Sequence, residues 1–297
     1  MAMKFVVPLN GEIERHPFNT FDDSALMSAF LLARRVRGHI EAFCTRPAPS
    51  KAWQWLSKTV ATTRQGENAP GIVPNTDKKS RKAFERIMNV SDYFSVPVNQ
   101  TKPLGAKCSA SFLTQPNEDF FSASVAQRGR LADVIVIGKN DPFQMAIWPN
   151  ELQQALYETA SPVLICPSSL PKKVGKRIML AWNGSIASSF AATVSIEVMQ
   201  AAKAVTVVHY QEKADNTPRL EDLMSYLKLH DVDAQLRLLD KPSNGLASAL
   251  LRQADACRAD MIIIGSTQRS RINQLFFGSI FYEVVQKAKI PVLLCRS

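Results

Sequence analysis

Arg258-Ala-Asp-Met-Ile-Ile-Ile-Gly265 places four apolar residues between an Ala-Asp pair and a glycine. A continuous apolar run of this length is typical of a strand that is buried on both faces of a parallel sheet. Leu131-Ala-Asp-Val-Ile-Val-Ile-Gly138 has the same pattern, and a second matching pair follows in the same order, Pro162-Val-Leu-Ile-Cys166 and Pro291-Val-Leu-Leu-Cys295. Two matches in one order indicate that the chain contains one structural unit twice.

The 297 residues are enough for two domains of ordinary size. We predict a first domain over residues 1–170 (the first half) and a second over residues 173–297 (the second half), joined by the Ser/Pro/Lys-rich stretch 168–173. Apolar patterns in the second half predict strands at 177–182, 204–210, 234–239, 261–264 and 292–295 and helices at 185–202, 219–230, 245–257 and 278–287. This order predicts an α/β fold of two tandem five-stranded parallel sheets, each in an open, Rossmann-like αβα arrangement with right-handed crossovers.

The first half repeats this order with an expansion. Its strands are expected at 4–9, 40–45, 109–113, 134–137 and 163–166, which leaves a long insert at about 47–107. The insert contains Trp53, Trp55 and a basic segment, 78–86, whose helical spacing predicts buried side chains at Ala83, Phe84, Ile87 and Met88. The insert is interpreted either as a lid or partner surface, or as additional core packing with a surface loop.

Composition and charge argue against several classes of protein. The net charge is +10, but the basic residues are spread along the chain without a basic tail, so a nucleic-acid-binding function is not favoured. No apolar run approaches the ~18 residues of a membrane-spanning helix, and the first residues lack the pattern of a signal peptide. The five cysteines are odd in number and include no Cys-x-x-Cys, which argues against a disulfide framework or a zinc site and favours a reducing, cytoplasmic location.

Glycines and polar residues follow the strands of the second half where a parallel sheet collects ligands. Gly265 ends one strand and precedes the basic loop 266–271, while Gly278 and Ser279 open the last helix. Trp182-Asn183-Gly184-Ser185 follows the first strand of this half. Glycine lets backbone N–H groups approach a phosphate, and a helix N-terminus adds partial positive charge. The pattern is explained equally well by an anion site and by glycines that only make turns.

The spacing Gly265-x2-Gln268-x9-Gly278-Ser279 resembles the loop of the universal stress protein family, usually written G-x2-G-x9-G-(S/T). Ile290-Pro-Val-Leu-Leu resembles the last strand of that family, and Asn183-Gly184-Ser185 resembles its Asp-x-Ser turn. The resemblance implies a tandem, two-domain family member with a stress-response role and with ATP or AMP bound in the second half. The residues implied for that site are Asn183, Gly184, Ser185, Tyr210, Gly265, Ser266, Gln268, Arg269, Gly278 and Ser279.

Three residues of this site depart from the family pattern. Asn183 replaces an aspartate, Gln268 replaces the middle glycine, and Tyr210 stands where a small apolar residue usually meets the adenine. The first half departs further. It keeps Gly138 but places the carboxylates of Asp141 and Glu151 where phosphates need donors, so we predict that this half binds no nucleotide. Glu151 is interpreted as a first-turn acid of a helix, after the N-cap residue Asn150.

The resemblance also implies how the halves meet. Last strands of the family pair across the two-fold axis of a dimer, so in a tandem chain 162–166 and 291–295 would pair inside one molecule and relate the halves by pseudo-two-fold symmetry. We predict that Cys166 and Cys295 lie near this seam, buried and reduced. A homodimer of whole chains stays open as an alternative.

Motifs for catalysis or metal binding were not found in the sequence. The four histidines include no pair at metal spacing, and neither a nucleophile elbow nor a Walker loop is present. His209 is expected to be a hydrogen-bonded residue of the core or of a strand end. No catalytic or metal-binding residue is therefore proposed, and slow ATP hydrolysis is the only turnover expected. The alternative function is a non-nucleotide-binding interaction protein that acts through protein partners, with the Trp53 and Trp55 insert as the contact surface.

Overall fold

The computed structural model describes residues 2–10, 21–45, 73–99, 108–113, 125–139, 150–209, 220–239, 245–266 and 279–297. The strands are β1 Lys4–Leu9, β2 His39–Cys44, β3 Ser109–Leu113, β4 Val134–Gly138, β5 Val163–Cys166, β6 Arg177–Trp182, β7 Ala204–His209, β8 Ala234–Leu238, β9 Met261–Ser266 and β10 Val292–Arg296. The helices are α1 Phe21–Ala33, α2 Val73–Phe94, α3 Val125–Gly129, α4 Asn150–Glu158, α5 Ile186–Val194, α6 Ile196–Gln200, α7 Leu220–Leu229, α8 Leu246–Ala256 and α9 Ser279–Lys287.

The strands form one sheet with the order β3-β2-β1-β4-β5-β10-β9-β6-β7-β8. Every neighbouring pair is parallel except β5 and β10, which are antiparallel. Within each half the strand order is the same when it is read from the outer edge to the centre, so a pseudo-two-fold axis passes between β5 and β10. The predicted α/β fold class is confirmed, and the two parallel sheets join into one.

The seam between the halves is the pairing of β5 with β10. Leu164 lies opposite Leu293, and Ile165 lies opposite Val292. Cys166 and Cys295 are both 0% exposed and carry free thiols. The predicted pairing of these strands and the burial of both cysteines are confirmed.

The repeated Ala-Asp pair has a structural role at the amino ends of the strands. Asp133 accepts a hydrogen bond from the backbone N–H of Lys4 at 2.6 Å, and its own N–H donates to the Lys4 carbonyl at 3.0 Å. Asp260 likewise accepts from the N–H groups of Lys176 and Arg177, at 2.8 and 3.0 Å. In both halves the aspartate therefore fastens the fourth strand to the start of the first.

Apolar side chains fill both faces of the sheet. One core lies under α1, α2, α5, α6 and α7, and the other lies under α3, α4, α8 and α9. Both cores continue across the seam, because each contains residues from β5 and from β10. Burial of a Val, Leu or Ile side chain stabilises a fold by roughly 1.5–3 kcal/mol, so the two halves stabilise one another through shared cores.

The basic helix of the predicted insert is the crossover helix between β2 and β3, in the same chain position that α7 has between β7 and β8. Ala83 and Ile87 are fully buried, as predicted, and Met88 is partly buried. The prediction for Phe84 is wrong, since its side chain is 41% exposed and meets Phe112 edge-on, with ring centroids 5.4 Å apart. Phe84 follows Ala83 by one residue, which turns it about 100° away from the buried stripe. Trp53 and Trp55 lie outside the described residues.

The helix predicted at 185–202 is interrupted at Ser195, which separates α5 from α6. Ser195 has φ −98° and ψ 6°, and its side chain is fully buried. Its Oγ lies 3.7 Å from Sγ of Cys295 in the central strand β10. The interruption therefore coincides with a polar contact between the helical layer and the middle of the sheet.

Candidate functional site

The candidate site lies at the carboxyl ends of β6, β7 and β9. β6 pairs with β9 on one side and with β7 on the other, where Trp182 lies opposite His209. The turn 183–185 follows β6, and Gly265 and Ser266 end β9. The sheet thus brings together three strand ends that are far apart in the sequence.

The turn after β6 is closed by its own polar side chains. Asn183 Oδ1 accepts hydrogen bonds from the backbone N–H of Ser185 at 3.2 Å and from its hydroxyl at 2.7 Å. Gly184 has φ +76°, a conformation that glycine adopts without strain. Ser185 is the N-cap of α5, because its Oγ accepts from the N–H of Ser188 at 3.2 Å. Asn183 and Ser185 therefore have a structural role, and the side-chain amide of Asn183 keeps its N–H donors.

Gly265 is required by close packing rather than by a turn. It is a regular residue of β9, opposite Cys295 of β10. A Cβ atom at this position would lie 2.1 Å from the carbonyl oxygen of Ala187 and 2.7 Å from the backbone N of Ser188. The interpretation that this glycine only makes a turn is therefore wrong. Its missing side chain lets β9 approach the first turn of α5, where the N–H groups of the helix begin.

Trp182 and His209 lie side by side at the ends of β6 and β7. Nδ1 of His209 lies 3.2 Å from the carbonyl oxygen of Trp182, so the prediction of a hydrogen-bonded strand-end residue is confirmed. Trp182 is 4% exposed, and within the described part of the chain its indole Nε1 has no hydrogen-bond partner. A buried donor of this kind is costly unless an acceptor reaches it. Sequence reasoning missed Trp182, and its place directly before the Asn-Gly-Ser turn was the available signal.

Five predicted site residues lie on the two adjoining strand ends: Asn183, Gly184, Ser185, Gly265 and Ser266. Ser279 is the first residue of α9, as its predicted place at the opening of the last helix requires. The other four predicted residues lie outside the described part of the chain: Tyr210, Gln268, Arg269 and Gly278.

At the corresponding strand end of the first half, the backbone contacts an ion-paired carboxylate of α1. Asn10 follows β1, and its N–H donates to Asp22 Oδ1 at 3.0 Å. Arg86 of α2 lies 3.4 Å from Asp22 Oδ2, and both side chains are largely buried. Asp22 thus binds both the backbone that follows β1 and the guanidinium of Arg86. That this half binds no nucleotide stays a prediction.

The loop after β4 also differs from its counterpart after β9. Glu151 lies in the first turn of α4, as predicted, and α4 begins at Asn150, whose role as N-cap stays a prediction. Asp141 lies outside the described residues. Lys139, next to Gly138, directs its ammonium group across the seam to the end of α9. Burial lowers the pKa of Lys139 from its ordinary value.

Two other features, a metal-binding cluster and a membrane-spanning helix, are absent from the described ranges. No group of three or more His, Cys, Asp or Glu side chains there could hold a metal ion. None of the helices in these ranges combines the length and apolar composition needed to cross a membrane.

The chain is similar in sequence and in fold to known proteins. Residues 175–296 match the family model of the universal stress protein family. The stress response protein NhaX of Bacillus subtilis (strain 168) is 26% identical over 161 residues, which cover 40% of this chain and 97% of NhaX. The crystal structure of a universal stress protein from Archaeoglobus fulgidus DSM 4304 aligns with 99% of this chain and 98% of its own, with 15% identity and a TM-score of 0.66. A universal stress protein solved in complex with cAMP aligns with 41% of this chain and 96% of its own, with 18% identity and a TM-score of 0.32.

Proposed function

We propose that the chain is a stress-response regulatory protein of the universal stress protein family, whose model residues 175–296 match, and that its second half binds one adenine nucleotide, ATP or AMP. The observation that carries the proposal is the junction of the 183–185 turn with Gly265, where two strand ends and the N-terminus of α5 meet. The site combines the two sides of this junction with the polar loop that follows β9. Its residues are Asn183, Gly184, Ser185, Tyr210, Gly265, Ser266, Gln268, Arg269, Gly278 and Ser279.

The donors of this junction suit an anionic ligand with a sugar. Because Asn183 Oδ1 is occupied by Ser185, the amide N–H groups of Asn183 are the part of that side chain that can bind ribose or phosphate oxygens. The neutral amide also adds no negative charge beside a polyphosphate. The buried Nε1–H of Trp182 is a further donor at the same strand end. Fixed donors near a helix N-terminus are the usual protein ligands of phosphate groups.

We propose that nucleotide binding regulates the protein and does not serve a catalysed reaction. The described residues contain no nucleophile with a base and an orienting group at this junction, so slow ATP hydrolysis is the most turnover we propose. A nucleotide that binds one conformation better than another shifts the population toward it and changes the affinity for a protein partner. The free cysteines suit the cytoplasm. The two halves, paired within one chain, would form an internal pseudo-dimer for this regulation. The domain boundaries that we propose are 1–170 and 173–297.

Isothermal titration calorimetry with ATP and with AMP tests the proposal. We expect one site per chain in the wild type and at least a tenfold loss of affinity in Gly278→Glu, because a carboxylate would face the phosphates. Glu151→Gln, at the matching place in the first half, is the control and should leave the affinity and the single site unchanged.

Other outcomes of the titration decide against the proposal. No binding of either nucleotide by the wild type would overturn it and favour the interaction protein that acts through protein partners alone. Two sites per chain would overturn the prediction for the first half. Strongly salt-dependent binding of RNA or DNA would favour the third and least supported reading, a nucleic-acid binder.

A further inference from the structure

Lys139 of the first half holds the end of a helix of the second half. Its Nζ lies 2.8 Å from the carbonyl oxygen of Val285, 2.7 Å from that of Gln286 and 3.2 Å from that of Ala288. An ammonium group has three N–H donors, so these contacts use all of them. The three acceptors are carbonyl groups at the C-terminal end of α9.

This contact satisfies groups that the helix cannot satisfy by itself. The last four carbonyl groups of a helix have no partner within it, and they form the negative end of its dipole. A helix as short as α9, with nine residues, is only marginally stable in isolation. Phe281, Val284 and Val285 anchor its middle in the core, where each is 4% exposed or less. Lys139 therefore caps and stabilises the C-terminal end of α9.

Among the described residues, the first half caps a helix of the second half, and the second half does not do the same for the first. On the other side, Arg296 of the second half lies over the ring of Tyr157 in α4, with 4.9 Å between Cζ and the ring centroid. The last carbonyl of α4, that of Glu158, accepts instead from Arg130 of its own half, at 3.2 Å. A helix of the second half is thus capped by the first half, and we find no equivalent cap in the opposite direction among the described residues.

The position of α9 matters because its first residue, Ser279, belongs to the proposed nucleotide site. We infer that Lys139 is a positioning residue for that site: the first half fastens α9 at its far end and thereby raises nucleotide affinity in the second half. This inference rests on the proposed function for its consequence, whereas the hold on α9 is measurable without a ligand. The coupling is reciprocal, so bound nucleotide should in turn strengthen the hold on α9.

The test compares Lys139→Met with a matched variant, Arg35→Met. Arg35 also reaches from the first half to a helix end of the second half, since its guanidinium donates to the carbonyl of Ala201 at the end of α6. That helix belongs to the other face of the sheet and contributes no residue to the proposed site. Both variants loosen the junction between the halves, but only the first releases α9.

Two measurements are made on the full chain: ATP affinity by calorimetry and hydrogen exchange of the amides in 279–287. We expect Lys139→Met to weaken ATP binding about tenfold and to speed exchange in 279–287 by a similar factor. Arg35→Met should leave the affinity within about twofold and the exchange of α9 unchanged. Wild-type affinity in Lys139→Met, or an equal loss in both variants, would overturn the inference.

The two proposals fail in distinguishable ways. If the wild type binds no nucleotide, the proposed function fails, and hydrogen exchange alone then decides the hold on α9: unchanged exchange of 279–287 in Lys139→Met overturns it, and faster exchange supports it. If Lys139→Met does not fold, Lys139→Gln, which keeps two N–H donors without the charge, replaces it under the same criteria.

Discussion

Gly265 is the residue on which the geometry of the candidate site depends most directly. The backbone of α5 occupies the space that its side chain would fill, with the carbonyl oxygen of Ala187 at 2.1 Å from the Cβ position. Backbone atoms of a packed helix cannot move aside as a flexible side chain can. Any larger residue must therefore push β9 away from the helix start.

We expect Gly265→Ala to lower the free energy of unfolding by about 2–3 kcal/mol, the upper part of the range for overpacking. Ser266→Ala, one residue further along β9, is the control and should change it by less than about 0.5 kcal/mol. Urea denaturation at constant pH measures both. Equal midpoints for Gly265→Ala and the wild type would show that α5 yields to the added methyl group.

At the scale of single residues, the sequence identified important residues but did not predict the contacts that make them important. Gly265 was interpreted as a turn or an anion contact, because the distance to Ala187 depends on the packing of two segments far apart in the chain. The Asp of each Ala-Asp pair marked the repeat, but its bond to the first strand of its half became visible only in the sheet. Trp182 was missed because an unpartnered donor is a property of its surroundings.

At the scale of the elements, α1 and α2 are joined by a largely buried ion pair. Arg86 Nη1 lies 3.4 Å from Asp22 Oδ2, and the two side chains are 14% and 7% exposed. The same helix carries an exposed pair, Lys82 with Glu85 at 2.7 Å, with exposures of 43% and 47%. The two pairs differ mainly in burial, which sets the cost of leaving a charge without its partner.

We expect Arg86→Met to destabilise the protein by about 3 kcal/mol, because the largely buried Asp22 carboxylate would lose its ion pair with Arg86. Lys82→Met breaks the exposed pair on the same helix and should cost less than about 1 kcal/mol. Chemical denaturation at neutral pH compares the two variants. A similar loss of unfolding free energy in both variants would contradict the prediction that burial makes the Arg86–Asp22 pair the more important one.

Element boundaries followed closely from hydrophobic periodicity. β1, β3, β5 and β6 have the predicted bounds, and most of the other elements differ by one or two residues. The break at Ser195 was missed, since a serine without a neighbouring proline or glycine carries no strong helix-ending signal. Helical spacing predicted a buried Phe84, but the angular position of this residue on α2 lies outside the buried stripe.

At the scale of the whole molecule, the central seam holds two buried thiols. Burial raises the pKa of Cys166 and of Cys295 to about 12, although the neighbouring hydroxyl groups of Ser28 and Ser195 act in the opposite direction. In the unfolded chain these thiols titrate near their ordinary pKa of 9.0. Between the two values the folded state keeps protons that the unfolded state releases. Stability from these groups is therefore complete below pH 9 and is lost as the pH rises toward 12.

We expect the free energy of unfolding to fall above pH 9 by up to about 1.4 kcal/mol per pH unit for each thiol. The double variant Cys166→Ala/Cys295→Ala should lose less stability over this range than the wild type, whereas Cys108→Ala, at a partly exposed site, should match it. Denaturant titrations from pH 7 to pH 11 measure the difference. Parallel pH dependences in the wild type and the double variant would refute the assignment to the seam.

The global architecture was largely predictable, because two repeated motifs indicated two copies of one α/β unit and the family resemblance placed the last strands together. The contacts that tie the halves to one another were not predictable. Lys139 carries no motif, and its acceptors in α9 are distant in the sequence. The loop after β9 was predicted in detail, and most of its residues lie outside the described ranges.

The antiparallel pairing of β5 with β10 has an evolutionary consequence. In a symmetric assembly of identical subunits every substitution occurs twice, so an interface must stay complementary to itself. Fusion into one polypeptide removes that constraint, and each side of the junction can mutate independently. On one side of the seam Lys139 binds carbonyl groups at the end of α9, and on the other side Arg296 stacks on Tyr157. The two sides therefore differ, as independent substitution allows. Covalent attachment also keeps the partner at high effective concentration, so the contacts across the seam need not sustain the association of the halves by themselves.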